Sequence, residues 1–389
     1  MRAVSLRAAY MPLVDAAPLI VAHEMGYDQA EGISLDLRPA PSWSSLRDML
    51  AFGHVDAAHL LSPVPVAMAL GLGGIVTPLS AVSVLSVNGN VIGVGRQLEA
   101  RLRENGYAFD FSDAFAAGAA LAKAAGETLT FGVPFPFSMH VELLRYWVSG
   151  TELASTKVEI RTVPPPLMAQ ALAAGEIDAF CVGEPWGSFS VDDRVGALLL
   201  PGNAIWSCAP EKVLAVRTDW AQTEPHLTGA LLRAIWRAGR WLSNPESLTT
   251  ASEMLAQRLY LDVPADLVDR ALTGQFAISA RGDQRQVDRF VTFHEGATGF
   301  PWRSQAKWIA HHMARRYGLD PSDAERTAAD VFQSDLYRRE LQGIGVVMPA
   351  DSEKPEGAGN DPTLVSGPGG KLMLPHNVFF DRRIFEPSQ

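Results

Sequence analysis

Cysteine is almost missing from this chain: Cys181 and Cys208 are the two among 389 residues. So few thiols make no disulfide framework, and no CxxC or Cys/His spacing accompanies them that would hold zinc, so neither a metal nor a cofactor is expected and a reducing compartment is. Basic charge is also short. Asp and Glu number 43 against 33 Lys and Arg, for a net charge of −10, and the scattered cations leave no stripe for a phosphate backbone, which excludes direct nucleic-acid binding. Catalytic signatures are missing too: no GxSxG, P-loop or HExxH is present, and no GxGxxG opens a helix after a strand. An unbroken membrane span is lacking as well. Residues 60–95 carry no charge, but prolines and glycines cut them into short units and the part after Pro78 alternates like a strand, so they read as buried α/β core with no membrane insertion. At the N-terminus Arg7 and Asp15 interrupt any apolar signal core, and the fold is expected to start at once.

What is there is an ordinary globular composition, 47% hydrophobic and 20% charged, with material for two domains. An internal echo gives their plan. "MLAFGHVDAAHLLSP" (49–63) and "ALAAGEIDAFCVGEP" (171–185) share a helix end, a glycine (Gly53, Gly175), Asp-Ala (Asp56-Ala57, Asp178-Ala179), an apolar strand and a proline (Pro63, Pro185). Each reads as helix, glycine cap, turn, buried strand and a new helix opened by proline. Strands near 3–9, 33–38 and 56–61 alternate with helices at 15–25 and 43–52, and residues 128–183 repeat the alternation, which predicts two similar α/β lobes. After Trp220 the pattern is helical. Residues 351–370, rich in Gly, Pro and Asp, read as a flexible linker, and the aromatic end "LMLPHNVFFDRRIFEPSQ" as a docking tail. The expected division is 1–92 for the first segment of lobe 1, 93–212 for lobe 2, 213–350 for the return to lobe 1, and 351–389 for linker and tail.

Ligands of open α/β sheets gather beyond the carboxyl ends of strands, which in a two-lobed chain means the cleft. Few polar residues arrive there: Trp43 at a helix start, Asn88 and Asn90 in a turn, Ser138 and His140 in a helix first turn, Glu184 and Trp186 after the second apolar strand, and Glu211 and Lys212 just before another strand. The set is rich in donors and suits a small anion. Each also has a plain structural role: an indole packs, a first-turn histidine caps, a lysine is solvated. Glu184 would repel an anion, so it is expected to cap the helix that follows or pair with a cation, while Asp15 and Asp56 read as turn and cap residues.

The segments "PLVDAAPLIVAHEMGY", "PSWSSLRDMLAFGHVDAAHLLSPVPVAMALGLGG", "SVNGNVIGVG", "HVELLRYW", "GEIDAFCVGEPW", "PEKVLAVRTDW" and "FFDRRIFEP" resemble, in order and over nearly the whole chain, the nitrate- and bicarbonate-binding proteins of ABC transporters. That resemblance implies an α/β, type II periplasmic-binding-protein-like fold, with two lobes, a hinge crossed twice and ligand in the cleft. It implies that Trp43, His140 and Lys212 grip the oxyanion, with Asn90 and Ser138 beside them and Glu184, Trp186 and Asn88 supporting. Exported members carry a leader, whereas here the first strand begins within a few residues of Met1. The expectation is therefore a cytoplasmic nitrate/nitrite sensor of the NasS type, which would release an RNA-binding antitermination regulator of the ANTAR (NasT-like) type when nitrate or nitrite binds. The alternative is the solute-binding component of a nitrate, nitrite or bicarbonate importer, periplasmic if a leader has been removed. An enzyme on the same fold, with His140 as base and Glu184 orienting it, is the third reading.

Overall fold

The computed structural model describes residues 3–388. Short apolar runs alternating with amphipathic ones give β1 (Val4–Tyr10), α1 (Ala17–Glu24), α2 (Tyr27–Ala30), β2 (Ile33–Pro39), α3 (Trp43–Ala51), β3 (Ala57–Leu61), α4 (Pro63–Ala69) and β4 (Leu79–Asn88). The chain goes on through β5 (Asn90–Gly95), α5 (Arg96–Glu104), α6 (Ala114–Ala124), β6 (Thr128–Val133), α7 (Met139–Ser149), β7 (Lys157–Thr162), α8 (Met168–Ala173), β8 (Ala179–Gly183), α9 (Trp186–Asp192), β9 (Gly196–Pro201) and β10 (Pro210–Arg217). The uncharged stretch 60–95 is cut into α4, β4 and β5, all largely buried, because Pro63 opens a helix that glycines at 71–74 cannot continue. Among the described residues no helix is long and apolar enough to cross a membrane.

The two larger sheets share one plan. In the first, β2, β1 and β3 run parallel, and β10 and then β4 add antiparallel beyond β3. In the second, β7, β6 and β8 run parallel, and β5 and then β9 add antiparallel beyond β8. The strand next to each parallel trio is the one that has just crossed from the other sheet. Crossing happens at Gly89, between β4 and β5, and again between Pro201 and Pro210. The expected boundaries at 92/93 and 212/213 therefore fall inside β5 and β10. Apolar patterning cannot mark these points, since the chain is buried on both sides; hydrogen-bonded partners decide which sheet owns a strand.

The sequence echo is a repeated piece of backbone. Gly53 (φ +75°) and Gly175 (φ +70°) both take the left-handed conformation that ends a helix. Asp56 accepts the N–H of Arg7 on β1 at 2.9 Å, and Asp178 accepts the N–H of Thr130 on β6 at 2.8 Å. The return bonds, from the N–H of Asp56 to the carbonyl of Arg7 and from that of Asp178 to Thr130, are 2.8 and 2.9 Å. Each aspartate thus locks the start of a central strand to its parallel neighbour.

Beyond β10 the chain is mainly helical: α10 (Thr218–Thr223), α11 (Pro225–Leu242), α12 (Leu248–Ala256), α13 (Ala265–Thr273), α14 (Arg303–Tyr317), α15 (Pro321–Ala329) and α16 (Ser334–Gln342). The amphipathic α11 packs on α1 and α2, and α14 on α4 and α15, which covers the first sheet. The stretch 351–370 is not the free linker that its composition predicts. Buried Glu356 accepts hydrogen bonds from Ser304 Oγ (2.7 Å) and Asn377 Nδ2 (2.8 Å), and residues Thr363–Gly367 form a hairpin with Gly370–Leu374. The tail is pinned by Phe379, whose ring lies 4.8 Å from that of Trp206, while Trp206 Nε1 donates to Asn377 Oδ1 at 2.7 Å. One buried carboxylate with several donors overrides a composition that otherwise favours disorder.

Candidate functional site

Where the crossing strands enter the opposite sheets, a polar cluster is buried. Lys212 on β10 stands between Leu61 of β3 and Ser86 of β4. Its Nζ lies 2.7 Å from Asp15 Oδ2 and 2.9 Å from Oε1 of the adjacent Glu211. Asp15, in the turn that leads into α1, also meets His59 Nε2 of β3 at 3.0 Å. Asn90, the first residue of β5, donates from Nδ2 to Glu211 Oε2 at 2.8 Å, and His140 Nδ1 of α7 stands 3.4 Å from Glu211 Oε1. Trp43, opening α3, completes the group: Lys212 Nζ is 5.5 Å from its ring centre and the His59 ring 5.8 Å. None of these seven side chains is more than 3% exposed.

Several polar atoms here have no hydrogen-bond partner among the described residues: Trp43 Nε1, both ring nitrogens of His140, His59 Nδ1, Ser86 Oγ and Asn90 Oδ1. Each costs the fold free energy unless something else meets it, on the order of 1–3 kcal/mol for a buried neutral group. Unpaired groups gathered in one place mark a site.

Electrostatics fix the protonation pattern. Burial pushes the Asp15 carboxyl up, but Lys212 and His59 outweigh it and hold Asp15 well below the usual carboxylate range, so it is ionised. Burial lowers the Lys212 ammonium, and Asp15 and Glu211 overcome that and keep it charged. Glu211 goes the other way: burial raises its carboxyl, and Lys212 only partly offsets this. Both histidines are held neutral, His140 by burial and the charge of Lys212, and His59 by burial against the pull of Asp15.

The structure brings together Trp43, Asn90, His140 and Lys212 of the residues singled out from sequence. Ser138 sits at the N-cap of α7; its hydroxyl accepts from the Val141 N–H at 3.3 Å and donates to the Phe135 carbonyl at 2.7 Å. Glu184 receives the Ser188 N–H at 3.1 Å on Oε2, at the start of α9, and leaves Oε1 unpaired. The His140–Glu184 pairing that the enzyme reading needs is absent, since His140 faces Glu211. Trp186 donates from Nε1 to the Pro12 carbonyl at 3.2 Å, tying the second lobe to the first. Asn88, at φ +61°, ties the two crossings: its Nδ2 donates to the Ser207 carbonyl at 2.9 Å and its Oδ1 accepts the Ala209 N–H at 3.1 Å.

Two readings are corrected. Asp15 is a member of the charged cluster and not only a turn residue, because its side chain points to β10. Glu211 and Lys212 lie within β10, not before it. His59 went unnoticed in the sequence, although a histidine in the otherwise apolar strand "AAHLL" is the signal that would have found it. Ser86 carried no such mark.

Two α/β lobes joined by two crossings, with charged and donor side chains buried where they meet, define the type II periplasmic-binding-protein class. The chain belongs to the NMT1-like family, whose model matches residues 2–256. It is 30% identical over 358 residues to the nitrate/nitrite binding protein NrtA of Nostoc sp. PCC 7120, across 90% of this chain and 78% of that one. It is 31% identical over 317 residues to the bicarbonate transport ATP-binding protein CmpC of Synechococcus elongatus, across 80% of this chain but 45% of that one, so it spans about half that relative's length. In three dimensions it matches the periplasmic nitrate-binding protein NrtA of Synechocystis PCC 6803 with a TM-score of 0.82 at 24% identity, over 99% of this chain and 96% of that chain.

Proposed function

We propose that this chain is a solute-binding protein whose two lobes close over a small monovalent oxyanion, nitrate or nitrite first and bicarbonate as the related candidate. The observation that carries the reading is the buried group of Lys212, Trp43 and His140, with an ammonium and unpaired nitrogens from both lobes converging on one place. A planar, weakly basic anion needs several weak donors, one positive charge and an aromatic wall against water, and this group supplies them. Lobe closure about Asn88–Asn90 and the segment 201–210 would complete the shell, and opening would release the ion.

The relatives favour the importer role over the sensor role. Their names are those of binding and transport components, one of them periplasmic, and none speaks for an antitermination regulator as partner or for a cytoplasmic site. Isothermal titration with nitrate, nitrite, bicarbonate and sulfate tests the reading. Binding of one of the monovalent anions, lost in Lys212→Met and weakened in His140→Ala, is the expected result; heat with sulfate alone, or none at all, overturns it.

A further inference from the structure

We infer that Glu211 sets the proton count of the bound ion: nitrate, and equally bicarbonate, enters together with one proton taken onto the Glu211 carboxyl. The inference rests on the proposed anion site and starts from its charge balance. Lys212 is the one cation within 4 Å of the cluster's carboxylates among the described residues, and two carboxylates already hold it, Asp15 at 2.7 Å and Glu211 at 2.9 Å. With both ionised the cluster carries one negative charge, and all its members are buried. A monovalent anion added there would raise this to two net negative charges in a low-dielectric place with nothing to offset them. Binding therefore requires a neutralising proton.

The geometry selects where it goes. The groups that face the cluster are Asp15 before α1, His59 on β3, Glu211 and Lys212 on β10, His140 on α7, Asn90 on β5 and Cys181 on β8. Asp15 is pinned as an anion between Lys212 and His59. Cys181 is already protonated, its thiol pushed well up by burial and by Glu211. His140 and His59 lie next to the charge of Lys212, which with burial opposes a second cation at either ring. Glu211 remains, with burial already favouring its neutral form. When protonated it changes from acceptor to donor and turns an O–H toward an anion oxygen, while Asn90 Nδ2 and Lys212 Nζ still donate to it. One proton leaves solvent, one O–H forms on Glu211, and the bound complex gains no net charge. Bicarbonate carries the same single negative charge with its own proton already counted, so it too needs the proton on Glu211.

Calorimetry on the whole chain decides it. Nitrate is titrated at pH 7.5 in Hepes and in Tris, whose ionisation heats differ, and again at pH 8.5; bicarbonate is titrated at pH 8.5 in both Tris and a low-heat buffer. Expected for nitrate are an uptake of about one proton per ion and an affinity that falls about tenfold per pH unit. For bicarbonate, equally monovalent, the same uptake is expected. Glu211→Gln, which is permanently neutral, should bind nitrate with no uptake and no pH dependence. Nitrate heat independent of buffer overturns the inference while leaving the anion site standing, and so does a Glu211→Gln chain that still takes up a proton. Failure of both anions to bind removes the site and this inference together.

Discussion

At matching places in the two sheets stand Lys212 and Asn90. Lys212 on β10 is opposite Leu61 of β3, and Asn90 on β5 is opposite Gly183 of β8, and Leu61 and Gly183 each lie five residues beyond the repeated aspartates, Asp56 and Asp178. The strand positions correspond, but one lobe has put a cation there and the other an amide. Both reach the same carboxylate, Glu211. His59 and Cys181, three residues beyond the aspartates, differ in the same way. Backbone-holding residues are repeated, and residues facing the cluster are not. The repeated backbone plan thus gives a pseudo-symmetric scaffold, and the side chains of the buried cluster are where the symmetry is broken.

The most damaging way to break the comparison further is to remove the charge. Lys212→Met leaves Asp15 and Glu211 buried against each other without a cation. Loss of one partner of a buried pair costs about 3–5 kcal/mol, so urea denaturation should show that drop and anion binding should vanish. A chain that kept both stability and binding would mean that the two carboxylates, and not the lysine, organise the cluster.

A second contrast lies at Ser62 and Glu184, which precede the two repeated prolines. Ser62 donates to the Pro210 carbonyl at 2.5 Å and does not titrate in the ordinary range. Glu184 is buried, and burial pushes its carboxyl up to about 7 despite the Ser188 N–H. A carboxyl raised on folding stabilises fully below its unfolded value near 4.5 and loses that contribution as pH rises through about 7. The loss is roughly 3 kcal/mol between those pH values. Glu184→Gln keeps an acceptor for Ser188, so the difference in unfolding free energy between the two chains should grow across that window in favour of the variant and then level off. A flat difference would show that Glu184 is not held neutral.

Much of this was legible in the sequence because it is written in local signals. The glycine, the aspartate and the apolar run of each repeat lie within one short segment, and they pointed to the two-lobed plan and to the strand ends near which the polar cluster is buried. Trp43, His140, Asn90 and Lys212 stood out as donors at such ends. The partners of Lys212 did not, because Asp15 is separated from it in sequence by the rest of the first segment and the whole second lobe, and a turn aspartate looks alike whether it faces water or β10. His59 went unread although its apolar neighbours mark it as the exception in its strand. The crossings were misplaced because strands buried on both faces give no sign of which ladder they join.

Asn90 offers a milder way to probe the asymmetry, through Gly202. A Cβ on Gly202 would fall 1.7 Å from Asn90 Oδ1, so Gly202→Ala must push the amide off Glu211 without altering any cluster residue. Loss of one hydrogen bond to a charged acceptor costs about 1.5–3 kcal/mol. Gly202→Ala and Asn90→Ala should therefore reduce stability alike and weaken anion binding alike, both less than Lys212→Met. A Gly202→Ala chain with unchanged affinity would place Asn90 outside the energetics of the site.

The smallest effects should come where the lobes are most alike. Asp56 and Asp178 each accept one backbone N–H at a strand start, at 2.9 and 2.8 Å, and neither lies in the polar cluster. Changing either to Ala strands one N–H and should cost about 1–2 kcal/mol in denaturation experiments, with anion affinity unaltered. Asp56 also holds the Arg7 guanidinium at 2.7 Å, but Arg7 is 41% exposed there, so the extra loss should stay within about 1 kcal/mol. Near-equal costs with unchanged affinity would confirm that the repeat serves the scaffold alone. A change in affinity for Asp178→Ala but not Asp56→Ala would show that the second lobe transmits strain from β6 to His140 on α7, and that the symmetry is broken beyond the buried cluster itself.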